Sequence, residues 1–454
     1  MNKDRIEDIL NKMLSTGGDF AEVFLEEKTT KVFDFIDNRL DSFSINDSSG
    51  VGLRLAKDLD VYYGATNDFK ESSIDKIITD LNANINDSKI IDKVTLKPLK
   101  EYKKDNITHY SDLDIKNKLK ELNEVIRSKD EKITQVDLRV LNVEQKVTIA
   151  NHTGLYKSEN RVRSRLFIIV NMQDKNLISS VHYSKGLGTS LDLLDEVDYD
   201  RVINELIKEG RDKLYAKPCI GKVMPVVIGP GFGGVIFHEA CGHAMEATSV
   251  ADKLSVLSND LNNKIASDKV TIIDDGTIAS EWGSTMIDDE GYPTRKNVLI
   301  ENGVLKGFLI DELNNRKMKM KATGSARRES YLFAPTSRMN NTYLESGNDS
   351  VEDMIKSIDL GLYAAKMGGG TVSPETGDFN FTCDVAYMIR DGKIAEPVKS
   401  ASLIGNTKEI LKEIEMVSSN LELGPGMCGS LSGYVPVNVG EPTIKVGHIL
   451  VGGE

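Results

Sequence analysis

The texture of the sequence alters after Lys217-Pro218, and that change constrains the fold more than any other feature. Upstream, apolar residues at helical spacing alternate with runs of period two. Downstream, glycine is frequent and short strand-like segments are separated by turns. A chain of 454 residues exceeds what one ordinary core encloses, so two units are expected, 1–215 and 216–454. The expected fold class is α+β, with N-terminal helices on a largely antiparallel sheet followed by a β-rich C-terminal domain.

In the first unit, Ile6, Ile9, Leu10, Met13 and Leu14 mark a helix that Gly17-Gly18 ends. From Phe20 to about Ala65 the pattern reads as short strands, including 20–25 and 51–55, with Asp37-Asn38 and the polar run 46–50 as turns. Ile74, Ile77, Ile78 and Leu81 mark a second helix, and 113–126 a third with Ser111 or Asp112 as its N-cap. Strands at 133–140, 146–150 and 161–170 follow, then a closing helix around Val202, Ile203, Leu206, Ile207 and Leu214. In the second unit, Asn302-Gly303 and Asp391-Gly392 between apolar runs predict hairpins. The segment 351–367 predicts the one long late helix.

The formal net charge of −13 argues against nucleic-acid binding, which needs clustered Lys and Arg to neutralise phosphates. No run approaches 18 consecutive apolar residues, so no membrane span is expected. The N-terminus is charged and lacks the apolar core of a signal peptide. Cys219, Cys241, Cys383 and Cys428 follow no disulfide-framework spacing. A reducing cytoplasm is therefore the expected setting.

Chemistry concentrates in the stretch 226–246. Gly229, Gly231 and Gly234 satisfy G-x-G-x-x-G between a strand and a helix, the form of a dinucleotide fingerprint. Pro230 occupies the tight turn, no βαβ unit with a suitably placed acid follows, and the helix carries His and Glu where small packing residues belong. The glycines are better read as turning a strand into a closely packed helix. The same helix holds His238-Glu239-Ala240-Cys241-Gly242-His243, or H-E-x-x-x-H. In the usual H-E-x-x-H the imidazoles share one helix face and one metal ion. Five residues apart, they sit roughly 140° around an ideal α-helix, which makes a poor chelate. A one-residue π-bulge, or unwinding at Gly242, would bring His243 back to the face of His238.

Two neutral imidazoles leave Zn²⁺ positive enough to bring the pKa of a bound water to about 7. Glu239, beside the first of them, can accept that water's proton and pass it to the leaving amine. A catalytic zinc usually takes a third protein ligand. Glu246, His448 and Cys428 are candidates that spacing alone does not rank, and Cys241 would point away if the histidines converge. Arg327, Arg328 and Arg338 are available in type to stabilise an oxyanion, although salt bridging is the simpler reading of each.

The helix motif with Glu246 behind it resembles the TldD/PmbA family of peptidases, in its TldD-type subunit. Further blocks match: 291–303, 326–331, 335–342, Pro397-Val398-Lys399, Ile404-Gly405-Asn406, Met427-Cys428-Gly429 and Val435-Pro436-Val437. The resemblance covers nearly the whole chain, and the second half carries most of it. It implies a zinc-dependent peptidase that cuts unfolded or flexible peptides in a cavity shared by two subunits. It implies His238, His243 and Cys428 as metal ligands, which raises Cys428 above Glu246 and His448, and Glu239 as the catalytic carboxylate. It also implies a dimer, either with a PmbA/TldE-like subunit or with itself. Ala247-Thr248 stand where Gly-Asp is common, and Ser430 and Tyr434 where Lys and Gln are common. The other reading of the chain is a non-catalytic peptide-binding or scaffold subunit with a structural metal.

Overall fold

The computed structural model describes residues 1–89, 91, 93–103 and 108–453. The fold is α+β. In the first half, strands Asp60–Thr66, Arg39–Lys57, Phe20–Ile36, Ile133–Asn151 and Tyr156–Asp174 pair in that spatial order, and Lys100–Tyr102 and Leu177–Leu187 both join the last. Among the described residues every pairing in this sheet is antiparallel except that of Lys100–Tyr102.

Period two assigns the faces. Ala21 and Val23 join a buried cluster with Ile6, Ile9 and Leu10 of helix Lys3–Met13 and Ile74 and Ile78 of helix Glu71–Asn82. Phe24 points the other way, onto Ile287 and Tyr331 of the second half. Helices Asp112–Ser128 and Tyr199–Leu214 pack on the same sheet through Ile115, Leu119, Val202 and Leu206. Ser111 is the N-cap of the first of these, in a capping box with Asp114.

The strands are much longer than the expected short segments: 17 residues for Phe20–Ile36 and 19 each for Arg39–Lys57 and Ile133–Asn151. Asn46, Asp47 and Ser48 form no turn; they pair with Thr30, Thr29 and Lys28 in mid-strand. The Thr29 hydroxyl donates to the Asp47 carboxylate across the pair at 2.6 Å. Ladder bonds and an exposed face let polar residues continue a strand whose core-facing part has ended. Asp37 and Asn38, both at positive φ, make the turn.

In the second half, strands Leu360–Val372, Lys222–Ile228, Ile444–Gly452, Ser402–Asn406 and Asp378–Arg390 pair in succession, and the first also pairs with the last. That sheet closes on itself. A six-stranded sheet runs Val304–Leu305, Lys296–Glu301, Ile272–Asp275, Asn341–Leu344, Gly433–Glu441, Glu422–Ser430, which leaves the last as an edge. Asn302-Gly303 and Asp391-Gly392 form the expected hairpin turns, all four at positive φ. The long late helix is absent: Val351–Lys356 is helical, but Leu360–Val372 is a strand. Leu362 and Ala364 are buried at alternate positions, and a Cβ on Gly361 would lie 2.6 Å from the Pro225 carbonyl oxygen. Pairing with Lys222–Ile228 overrides the local helical period. Among the described residues no helix is long and apolar enough to cross a membrane.

Candidate metal centre

Strand Lys222–Ile228 leads into the glycine run. Gly231 has φ 87° and ψ −109°, open to glycine and strained for other residues. A Cβ on Gly234 would collide with the Gly440 backbone nitrogen. The glycines thus turn the chain sharply and seat the next helix against strand Gly433–Glu441.

That helix is a π-helix over Phe237–Gly242, and the His243 N–H donates to the His238 carbonyl. In an i→i+5 turn, residues five apart stack one above the other, as residues four apart do in an α-helix. The backbone thereby corrects the spacing that would have kept the two imidazoles apart. Gly242 does not unwind the helix; it keeps φ −57° and ψ −53°. Its contribution is space, because a Cβ there would collide with the Met339 sulfur.

The His238 and His243 rings lie 5.2 Å apart at 85°. Edge strand Glu422–Ser430 brings Cys428 to them from the far end of the chain, with Sγ 3.3 Å from His243 Nε2. One ligand atom each from His238, His243 and Cys428 all lie within 4.8 Å of one another. Zinc bonds of about 2.0–2.3 Å in a tetrahedron separate ligand atoms by roughly 3.5 Å, so the three groups are near the arrangement such an ion needs.

Their electrostatics agree. Burial pushes the Cys428 thiol up, but the charge on His238 and hydrogen bonds to both histidines outweigh it and bring the pKa down to about 3. The sulfur is held as a thiolate, the form that binds metals. Burial also opposes the His243 cation, yet Glu246 and Cys428 hold its pKa well above the ordinary value. A divalent cation would satisfy the same anionic groups with the imidazole neutral. His238 Nδ1 is buried with no hydrogen-bond partner among the described residues.

Glu239 Oε2 lies 3.7 Å from His243 Nε2, and its side chain is 28% exposed. It borders His243 with access to solvent. Glu246 sits behind the ring instead, Oε2 at 3.0 Å from His243 Nδ1, and is outside the three-atom cluster. His448 is outside the cluster, exposed and paired with Glu413. Cys241 is buried in the core and its thiol is pushed up to about 12 by burial.

The three arginines are buried. Arg327 donates to the Met339 carbonyl. Arg328 donates to Glu22 of the first half. Arg338 is fully buried and donates to the Cys428 and Gly433 carbonyls. Sequence reasoning missed how Arg338 and Glu246 meet behind the cluster, and how Glu22 and Arg54 reach the second half. The available signal was charge at core-facing strand positions: Glu22 and Glu26 flank Phe24 at period two.

Residues 221–453 match the PmbA/TldA metallopeptidase C-terminal domain, 105–214 the central domain and 21–84 domain 1 of the same family. The chain belongs to the PmbA/TldA metallopeptidase family. A metalloprotease TldD homolog from Buchnera aphidicola is 36% identical over 376 residues, 81% of this chain and 77% of that one. A zinc metalloprotease TldD homolog from Saccharolobus solfataricus is 31% identical over 66% of this chain and 69% of that one. Among solved structures, TldE from Thermococcus kodakarensis shares the PmbA/TldA fold with a TM-score of 0.76, 20% identity and 99% coverage of both chains.

Proposed function

We propose that this chain is a zinc-dependent peptidase for unfolded or flexible peptides, with His238, His243 and Cys428 as metal ligands and Glu239 as general base. The observation that carries the proposal is the π-turn, which gathers two imidazoles and a thiolate within 4.8 Å beside a partly exposed carboxylate. The name of the Saccharolobus relative supports zinc as the ion. Bound there, zinc supplies a Lewis acid for the scissile carbonyl and makes water nucleophilic at neutral pH. Glu239 accepts the proton of the attacking water and delivers it to the departing amine. Glu246 holds His243 by Nδ1, leaving Nε2 toward Cys428. His238 and Cys428 are only 2% and 4% exposed, so a peptide has to be drawn in as a flexible segment to reach them.

The alternative, a non-catalytic subunit with a structural metal, is less well supported. Structural zinc sites usually close with four protein ligands, whereas the cluster among the described residues has three. Membership of the PmbA/TldA family suggests a dimer with a PmbA/TldE-like subunit or with a second copy. Four free cysteines suit a reducing cytoplasm. Glu239→Gln is expected to retain zinc and lose at least about 100-fold in cleavage of an unstructured fluorogenic peptide, while Cys428→Ser loses the metal. A Glu239→Gln protein that cleaves at the parental rate would overturn the proposed mechanism.

A further inference from the structure

Arg338 is fully buried, and a buried guanidinium is costly unless its donors are used. Nη1 donates to Ser432 Oγ at 3.0 Å and to the Gly433 carbonyl at 2.9 Å, and Nη2 donates to the Cys428 carbonyl at 2.5 Å. One planar fork therefore pins the hairpin that carries the thiolate, on a strand paired along one side only. Nε faces Glu246 Oε1 at 3.7 Å, and among the described residues these two buried atoms have no hydrogen-bond partner. The other Glu246 oxygen lies 3.0 Å from His243 Nδ1. The path Cys428–Arg338–Glu246–His243 thus joins two candidate ligands 185 residues apart in sequence. No backbone ladder joins the strand of Cys428 directly to the helix of His243.

We propose that Arg338 and Glu246 are positioning residues, a buried ion pair that sets the spacing of the Cys428 sulfur and His243 Nε2 and so tunes metal affinity. The proposal rests on the reading of His238, His243 and Cys428 as ligands. Glu246 fixes the ring and tautomer of His243, and Arg338 fixes both Glu246 and the backbone of Cys428. Lysine keeps the charge but lacks the fork that reaches three hairpin acceptors and a carboxylate together. Glutamine at 246 keeps an acceptor for His243 Nδ1 and loses the attraction to Arg338. Partners behind a metal ligand typically account for about 10- to 100-fold in affinity.

The test uses the full chain stripped with a chelator. Zn²⁺ affinity is measured by competition against a chromophoric chelator, and Co²⁺ is titrated to record the thiolate-to-cobalt charge-transfer band that reports Cys428. Arg338→Lys and Glu246→Gln are each expected to weaken Zn²⁺ about 10- to 100-fold and to shift or weaken the cobalt band. The double variant is expected to lose less than the product of the two, because the residues act as one unit. Apo Glu246→Gln should stay folded by circular dichroism, which separates positioning from general stability. If Arg338→Lys does not fold, Glu246→Gln decides the matter. Parental affinity and band in the folded variants would overturn the clamp while leaving the ligand assignment intact. A parent chain with no Cys428-dependent band would overturn the ligand assignment and the clamp with it.

Discussion

At Gly242 a methyl group would collide with the Met339 sulfur, and Met339 is fully buried. The residue that follows is His243, so any shift that relieves the collision moves a candidate ligand. Met339 in turn adjoins Arg338, whose fork holds the Cys428 hairpin, so the same strain reaches the site from both sides. Overpacking a core typically costs about 1–3 kcal/mol. Gly242→Ala is expected to lower the unfolding free energy by that amount, read as a lower urea midpoint with an unchanged slope, and to weaken zinc binding. Met339→Ala in the same chain should restore part of the midpoint, because it removes the colliding sulfur. A Gly242→Ala protein with parental midpoint and affinity would show that the sulfur moves freely. The sequence exposed Gly242 as the residue allowing an irregular turn, but the reason lies in Met339, 97 positions downstream, which no local pattern could supply.

Elements with one dominant local signal were legible. The amphipathic helices, the Ser111 cap and the Asn-Gly and Asp-Gly hairpins carry their chemistry in adjacent residues. The π-turn was legible for another reason: two histidines five apart have a geometric use only if the helix is altered. Strand lengths were not, since Asn46 to Ser48 are polar by composition and strand by their pairing with Lys28 to Thr30. Leu360–Val372 was misread because its apolar spacing fits a helix until Lys222–Ile228 is placed beside it. Strand Gly433–Glu441 holds a further feature invisible in sequence. Glu441 is fully buried, both carboxylate oxygens lack partners among the described residues, and a Cβ on Gly233 would collide with one of them. Burial raises its pKa well above the ordinary 4.5, so the folded chain keeps a proton that the unfolded chain releases. Stability from this group therefore falls as pH rises above about 4.5, by about 1.4 kcal/mol per pH unit, until the raised folded pKa is reached. Glu441→Gln should match the parent near pH 4 and gain on it as the pH rises above about 4.5 in urea unfolding. A stability difference independent of pH would show that Glu441 is ionised in the fold.

Across the whole molecule, the faces that join 1–215 to 216–454 carry buried charges beside the apolar cluster of Phe24, Ile287 and Tyr331. Glu22 accepts from Arg54 at 2.7 Å and from Arg328 of the second half at 2.6 Å. Arg54 also pairs with Glu290 at 2.7 Å, and Arg161 with Asp289 at 2.6 Å. All of these side chains are 7% exposed or less. Buried ion pairs add little net stability over an apolar contact, but removing one partner strands the other charge and costs about 3–5 kcal/mol. Separating the two units would strand several at once. We therefore propose that the boundary at 215/216 marks a change of architecture within one cooperative unit, so calorimetry should show one transition for the full chain. At about 2.1 cal/mol/K per residue, 454 residues carry an unfolding entropy near 1 kcal/mol/K, so a 3–5 kcal/mol loss lowers Tm by only about 3–5 °C. Glu22→Ala should move the whole transition down by that amount, with no second peak. Two resolved transitions in the parent, or a Glu22→Ala shift confined to part of the heat, would mean that the halves melt independently and that these buried charges do not couple them.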